Sequence, residues 1–408
     1  MRGVRILLLA FLFASPAAAQ SWVFETSSFD TNLRAVSATH ARDTRRSPAP
    51  VIWASGSKSR LLKSKDGGSH YGRLLMNAGI GLDLRGIQAF DEKVAYAMSS
   101  GEGKQSGIYK TTNGGQGWKL LFSGKRPAFF LDALACISEK ECFALSDPVD
   151  GKFLLVHTSD GERWSELPGD NMPPALPAEG AFAASNSCLI IYDQREIYFV
   201  TGGPAARVFH SPDLGRTWTV TATPILSGNK SSGAFSIARM GSVVVIVGGD
   251  YNEVDRVERT AAISLDRGAT WNLAVLPPGG FRSAVAFLDG KTLVAVGPNG
   301  EDISRDQGAH WTSAGDLNLN AVTVLDRDHV WAVGPEGTIV RWIPPASYDF
   351  GVLFLNVSTT NFAFPPPDLV RLASASAGSH ITSPAGSVFA GCPDISTTNS
   401  DLSITAKR

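Results

Sequence analysis

Ser211-Pro-Asp213-Leu-Gly215-Arg-Thr217-Trp218, Ser264-Leu-Asp266-Arg-Gly268-Ala-Thr270-Trp271 and Ser304-Arg-Asp306-Gln-Gly308-Ala-His310-Trp311 are three copies of one eight-residue pattern. Two variants keep the spacing: Ser64-Lys-Asp66-Gly-Gly68-Ser-His70-Tyr71 and Thr111-Thr-Asn113-Gly-Gly115-Gln-Gly117-Trp118. Thr158-Ser-Asp160-Gly161-Glu-Arg-Trp164 is one residue short. Successive Asp/Asn positions lie 47, 47, 53, 53 and 40 residues apart. The pattern has a turn chemistry. The Asp accepts hydrogen bonds from amides of the hairpin it opens. The Gly sits where positive φ is needed. The Trp anchors the strand that follows. The box residues Asp66, Asn113, Asp160, Asp213, Asp266 and Asp306, with Trp118, Trp164, Trp218, Trp271 and Trp311, are therefore read as structural.

A period of about 40–50 residues in a strand-rich chain indicates an all-β fold, a β-propeller with one box per blade. Seven inner strands align: Leu33–Ala38, Leu84–Phe90, Leu131–Cys136, Glu179–Ala184, Ser232–Ile237, Phe281–Phe287 and Leu319–Val324. The seventh repeat reaches a third strand, Gly337–Trp342, and then loses the pattern. Ser21-Trp22-Val23-Phe24-Glu25 resembles a strand that follows a box Trp. Seven blades, with the N-terminal strand completing the last, explain both ends and remove an exposed sheet edge.

Residues 1–19 read as a secretory signal peptide. Arg2 and Arg5 form a basic start, Ile6 to Ala14 an apolar stretch, and Ala17-Ala18-Ala19 a cleavage site before Gln20. The mature protein is expected to be secreted or periplasmic, without a stable membrane span. The propeller is assigned to residues 20–342. Residues 343–408, rich in Ser, Thr and Pro, form a C-terminal tail that is flexible or loosely docked. A net charge of −1 with no polybasic run makes nucleic acid a poor partner. Cys136 and Cys142 face each other across a hairpin turn, and an exported protein can oxidise such a pair; the spacing allows a bridge without requiring it. Cys188 reads as a buried thiol and Cys392 lies in the tail. No Cys/His spacing suits a metal, and no cofactor motif is present, so neither is expected.

The pattern resembles the Asp-box, or BNR, repeat shared by sialidases, sortilin-type receptors, some endoglucanases and the photosystem II stability/assembly factor-like proteins. The resemblance covers roughly residues 21–342. The chain looks most like the assembly-factor-like group in its plain seven-blade layout, its signal peptide, and phrases such as Ser146-Asp-Pro-Val-Asp-Gly151 and Glu179-Gly-Ala-Phe-Ala-Ala-Ser185. That resemblance implies a non-enzymatic helper gripping a partner protein, without naming the partner.

Ligands of propellers gather where the inner strands begin. The aligned residues there are Arg34, Arg85, Asp132, Gly180, Gly233, Arg282 and Asn320. Blades six, seven, one and two are consecutive, so Arg282, Asn320, Arg34 and Arg85 form an arc suited to a carboxylate, a phosphate or the acidic segment of a protein. The competing structural explanation pairs each arginine with a loop carboxylate such as Asp132, Asp316 or Glu179. The runner-up function is a glycoside hydrolase of the sialidase kind, or a glycan-binding protein. Its carboxylates would come from Asp132, Asp147, Asp150, Glu179, Asp250 and Glu253, with Tyr251 in a polar loop beside Glu253 and Asp255. Against it, the Arg-Ile-Pro motif of sialidases is missing; Arg46-Ser-Pro48 does not match it.

Overall fold

The computed structural model describes residues 21–26, 29–42, 49–76 and 81–343. The signal-peptide residues 1–19, Arg46-Ser-Pro48, Cys392 and the tail beyond Ile343 lie outside them.

The described residues form seven antiparallel sheets arranged as a β-propeller. Most sheets are runs of consecutive hairpins, as in the four strands of blade one, Leu33–Thr39, Val51–Gly56, Arg60–Ser64 and Gly72–Leu75. Inner strands of successive blades touch, and that of blade seven, Ala321–Asp326, touches that of blade one. The circle closes as the sequence indicates. Ser21–Thr26 pairs antiparallel with Ile339–Ile343, joining the chain start to the last blade. Trp22 packs edge-on against Trp342, with ring centroids 5.1 Å apart. Glu25, on the same strand, accepts the Tyr71 hydroxyl of blade one at 2.6 Å and pairs with Arg341 at 3.2 Å, so one carboxylate ties the last blade to the first.

The boxes form six near-identical turns. In each, the Ser or Thr hydroxyl accepts the Gly amide, at 2.7 to 2.9 Å. The Asp or Asn accepts an amide further along, as from Thr217 at 2.8 Å and His310 at 2.9 Å. Gly215 and Gly308 stand at φ 89° and 94°, and the residues before them, Leu214 and Gln307, are also left-handed. A glycine carries the second of these two unfavourable positions at least cost. The box tryptophans then fill the seams between blades. Trp118 of blade two meets Trp53 of blade one at 6.2 Å, and Trp164 of blade three meets Tyr96 of blade two at 5.9 Å. The apolar core therefore lies between neighbouring sheets. Cys136 and Cys142 are joined by a disulfide at the end of the first hairpin of blade three.

Blade four departs from the sequence alignment. Glu179–Ala184 is not its inner strand: Gly180 makes only an isolated bridge to Gly202, and the strand proper is Leu189–Tyr192. Leu189 pairs with Phe199 as Val36 pairs with Ala54 in blade one, so residues 182–187 are an insertion ahead of the strand. The insertion reaches into the channel and touches four other blades. Arg85 donates to the Ala183 carbonyl at 3.0 Å. The Asn186 side chain bonds both the amide and the carbonyl of Leu134, at 2.8 and 3.0 Å. Ser185 donates to the Ser283 carbonyl, and Ser187 meets Ser236, both at 2.7 Å. These bonds plug the channel with a satisfied polar loop.

Candidate functional site

The side chains at the channel mouth are placed by β-bulges. In blade one Leu33 pairs with Gly56 and Ala35 with Ser55, leaving Arg34 as the extra residue. Arg85 is the extra residue between Leu84 and Gly86, and Asp132 between Leu131 and Ala133. A bulge breaks the two-residue alternation and re-aims one side chain, here towards the mouth.

The same geometry corrects two assignments. In blade five the bulge falls between Ala234 and Ser236, so Phe235, not Gly233, holds the mouth position. In blade six Ser283 donates its amide to Val296 as Asn320 does to Val333 in blade seven, while Arg282 stands where Leu319 stands, bonding the blade before it. Ser283 therefore holds the mouth position, and Arg282 lies one residue back, on the buried face. A one-residue slip exchanges the faces of a strand. Inner strands built from small residues give little alternation to detect it. The small residue after each mouth position, Ala35, Gly86, Ala133, Ala284 and Ala321, is the signal that marks the correct register.

Arg282 is 2% exposed. Its Nε donates to Asp302 at 2.7 Å and its Nη1 to Asn299 at 2.6 Å, and a second nitrogen closes the Asp302 pair at 2.5 Å. It does not line the cavity that the other mouth residues share, and the four-member arc is reduced to three.

Arg34, Arg85 and Asn320 do come together. They line one cavity of about 330 Å³ with Phe182, Phe235 and Tyr251. Phe182 of the plug stacks on Phe235, centroids 3.7 Å apart, and makes an aromatic wall. Both donors of Asn320 are already engaged, by Asn32 Oδ1 at 2.6 Å and the Leu33 carbonyl at 2.7 Å, so this amide secures the seam between the last and first blades. The two arginines share a single carboxylate that sequence reading overlooked. Asp83 accepts Arg85 Nε at 2.8 Å and lies 3.7 Å from Arg34 Nε. That longer separation is beyond a hydrogen bond, and the buried Arg34 Nε and Asp83 Oδ1 both lack a hydrogen-bond partner. Burial, with Arg85 close by, lowers the Arg34 pKa. Two guanidiniums against one carboxylate leave a net positive site with donors free for an anion.

A second cavity of about 570 Å³ adjoins the first and shares Arg85, Phe182, Ala183 and Tyr251 with it. Asp132 and Asp147 line it. Asp132 is 1% exposed and neither carboxylate oxygen has a hydrogen-bond partner; the adjacent Asp147 amide, though it favours the ionised form, is directed to the Phe130 carbonyl at 2.9 Å. Burial and the neighbouring Asp147 push its pKa well up. Asp147 accepts the Ala181 amide at 2.8 Å, and burial raises it to about 6. Of the other carboxylates proposed from sequence, three are occupied and Asp150 is exposed. Glu179 holds Arg207 and the Thr201 hydroxyl, Asp150 lies 3.7 Å from Arg126, Asp250 accepts Asn229 at 2.8 Å, and Glu253 pairs with Arg256 at 2.9 Å.

The molecule is thus a seven-bladed propeller whose plugged mouth carries a basic and an acidic cavity side by side. Its architecture is similar to that of a solved structure described as "YCF48 bound to D1 peptide", with a TM-score of 0.57 and 15% identity, covering 79% of this chain and 97% of that one. It is likewise similar to YCF48 from Cyanidioschyzon merolae, with a TM-score of 0.55 and 13% identity, covering 79% of this chain and 99% of that one. At such identities the likeness concerns the fold. No protein-family model and no curated protein matches the sequence.

Proposed function

We propose that this chain is an exported, non-catalytic propeller that holds a carboxylate-bearing segment of a partner protein at its channel mouth, helping that partner to assemble or persist. One observation carries the reading: Arg34 and Arg85 share a single carboxylate, Asp83, beside an aromatic wall in one cavity. A carboxylate can take the free donors while apolar parts of the segment lie on Phe182 and Phe235. The fold likeness to YCF48, solved with a D1 peptide, lends the reading weight. The signal-peptide pattern and the Cys136–Cys142 bridge favour an oxidising, exported location.

The runner-up, a glycan hydrolase or lectin, draws on Asp132 and Asp147. Hydrolysis requires one carboxylate ionised and its mate protonated. Burial raises both, Asp147 to about 6 and Asp132 well up, a split compatible with such a pair; the missing Arg-Ile-Pro motif keeps this reading second.

The test is cross-linking in the exported compartment, followed by purification of residues 20–408 and of the Arg34→Ala/Arg85→Ala variant. A defined protein recovered with the native chain and lost from the variant is the expected result. A partner held equally by both contradicts the site, and a chain that retains residues 1–19 contradicts the processing.

A further inference from the structure

Asp132 poses a problem that the anion-binding mouth does not solve. Unpaired buried carboxylates are costly, and folded proteins rarely leave both oxygens without a donor. A bulge aims this side chain at the mouth, as bulges aim Arg34 and Arg85. The Arg85 charge acts on Asp132, but the Arg85 Nε goes to Asp83 and an Nη to the Ala183 carbonyl of the plug. Glu179 also lines the cavity and is taken by Arg207. Lys230 stands exposed at the rim. The wall thus sets Asp132, with neither oxygen hydrogen-bonded, beside Asp147, which accepts the Ala181 amide, in a space large enough for a long side chain.

We infer that this second cavity is a cation subsite, taking a lysine ammonium or an arginine guanidinium of the same segment whose carboxylate lies against Arg34 and Arg85. The link between the two charges rests on the partner-binding reading above; the cation subsite itself rests on Asp132 and Asp147 alone. The two cavities share Arg85, Phe182, Ala183 and Tyr251, so one short peptide spans both. A monovalent cation bonded to Asp132 and Asp147 supplies the missing donors, and its burial against Phe182 and Tyr251 excludes water from the pair. The mouth then selects for a segment carrying both signs of charge over a purely acidic one, which leaves Asp132 without a cation.

Two measurements separate this inference from the reading beneath it. In the first, the carboxyl carbon signals of Asp132 and Asp147 are followed by NMR while n-butylammonium chloride replaces sodium chloride at constant ionic strength. Both signals should move towards the ionised form; no movement overturns the subsite. In the second, hexapeptides with a free terminal carboxylate carry one lysine stepped through the first five positions, each compared by calorimetry with its norleucine analogue. Lysine should bind at least tenfold tighter at one or two positions. Asp132→Asn/Asp147→Asn should abolish that preference and leave the norleucine peptides unchanged, with the thermal transition verifying the fold. Arg34→Ala/Arg85→Ala should weaken every peptide while the n-butylammonium response survives. A butylammonium response without any peptide binding keeps the subsite and sinks the peptide reading. Equal lysine and norleucine affinities, or a preference that survives in the Asn variant, overturn the linked proposal. Cleavage of an aryl glycoside that is lost in Asp132→Asn overturns it too, by making the pair catalytic.

Discussion

Arg85 and Arg282 occupy matching places in a sequence alignment of the blades and have opposite fates in the structure. Arg85 stands in a bulge, about a quarter exposed, sharing Asp83 with Arg34. Arg282 lies one register step away, 2% exposed, with Asp302 and Asn299 satisfying its donors. The difference teaches that residue type at a repeat position does not make a site. The register of the strand decides which face the side chain takes, and the number of carboxylates around it decides whether any charge is left for a ligand.

Four measurements probe that contrast. Arg282→Ala should be the most damaging, because it strands the buried Asp302; urea unfolding should show a loss of about 3–5 kcal/mol. A loss no greater than that of a surface arginine would erase the distinction. Arg34→Ala/Arg85→Ala should leave the unfolding midpoint nearly unchanged, yet weaken a peptide with a free carboxylate by about 10- to 100-fold, or about 1.4–2.7 kcal/mol. Calorimetry at two salt concentrations would measure it, with the larger loss at low salt. Ser304→Ala removes the hydroxyl that accepts the buried Gly308 amide at 2.8 Å. It should lower stability by about 1–2 kcal/mol without touching peptide affinity, which sets the box turns apart from the mouth.

The smallest effect concerns pH. Burial raises Asp147 from 3.8 to about 6 and Glu301, beside Arg282 in blade six, from 4.5 to about 7. Both groups bind more protons folded than unfolded across that interval. Their contribution to stability is therefore full below about pH 4 and lost as the pH rises towards 7. Each should account for on the order of 1 kcal/mol between pH 5 and 7.5. Asp147→Asn and Glu301→Gln should each flatten the urea midpoint against pH, one at the mouth and one away from it.

The wheel was legible in the sequence because its box is unambiguous chemistry. Ser304, Asp306, Gly308 and Trp311 each meet a distinct demand of one turn, and the turn recurs at the blade period. The closure was legible as well, since Ser21–Glu25 supplies the strand that the last repeat lacks. The site was only partly so. Arg34 and Arg85 fell into place, but in blade six Ser283 and Ala284 both follow Arg282, and alternation could not distinguish Arg282 from Ser283. Phe182 sat inside what reads as an inner strand and Asn186 two residues beyond it, and nothing local marks them as an insertion that plugs the channel. Asp83 escaped notice because its role depends on two arginines from neighbouring blades, a relation only the closed ring creates.

The most direct test follows the arginine Nε–H signals of the whole protein by NMR, while a hexapeptide with a free terminal carboxylate is added at constant pH and salt. The signals of Arg34 and Arg85 should shift together and saturate, with Arg282 unmoved. A shift centred on Arg282, or none at Arg34 and Arg85, would contradict the claim that register and a shared carboxylate make this mouth an anion-binding site.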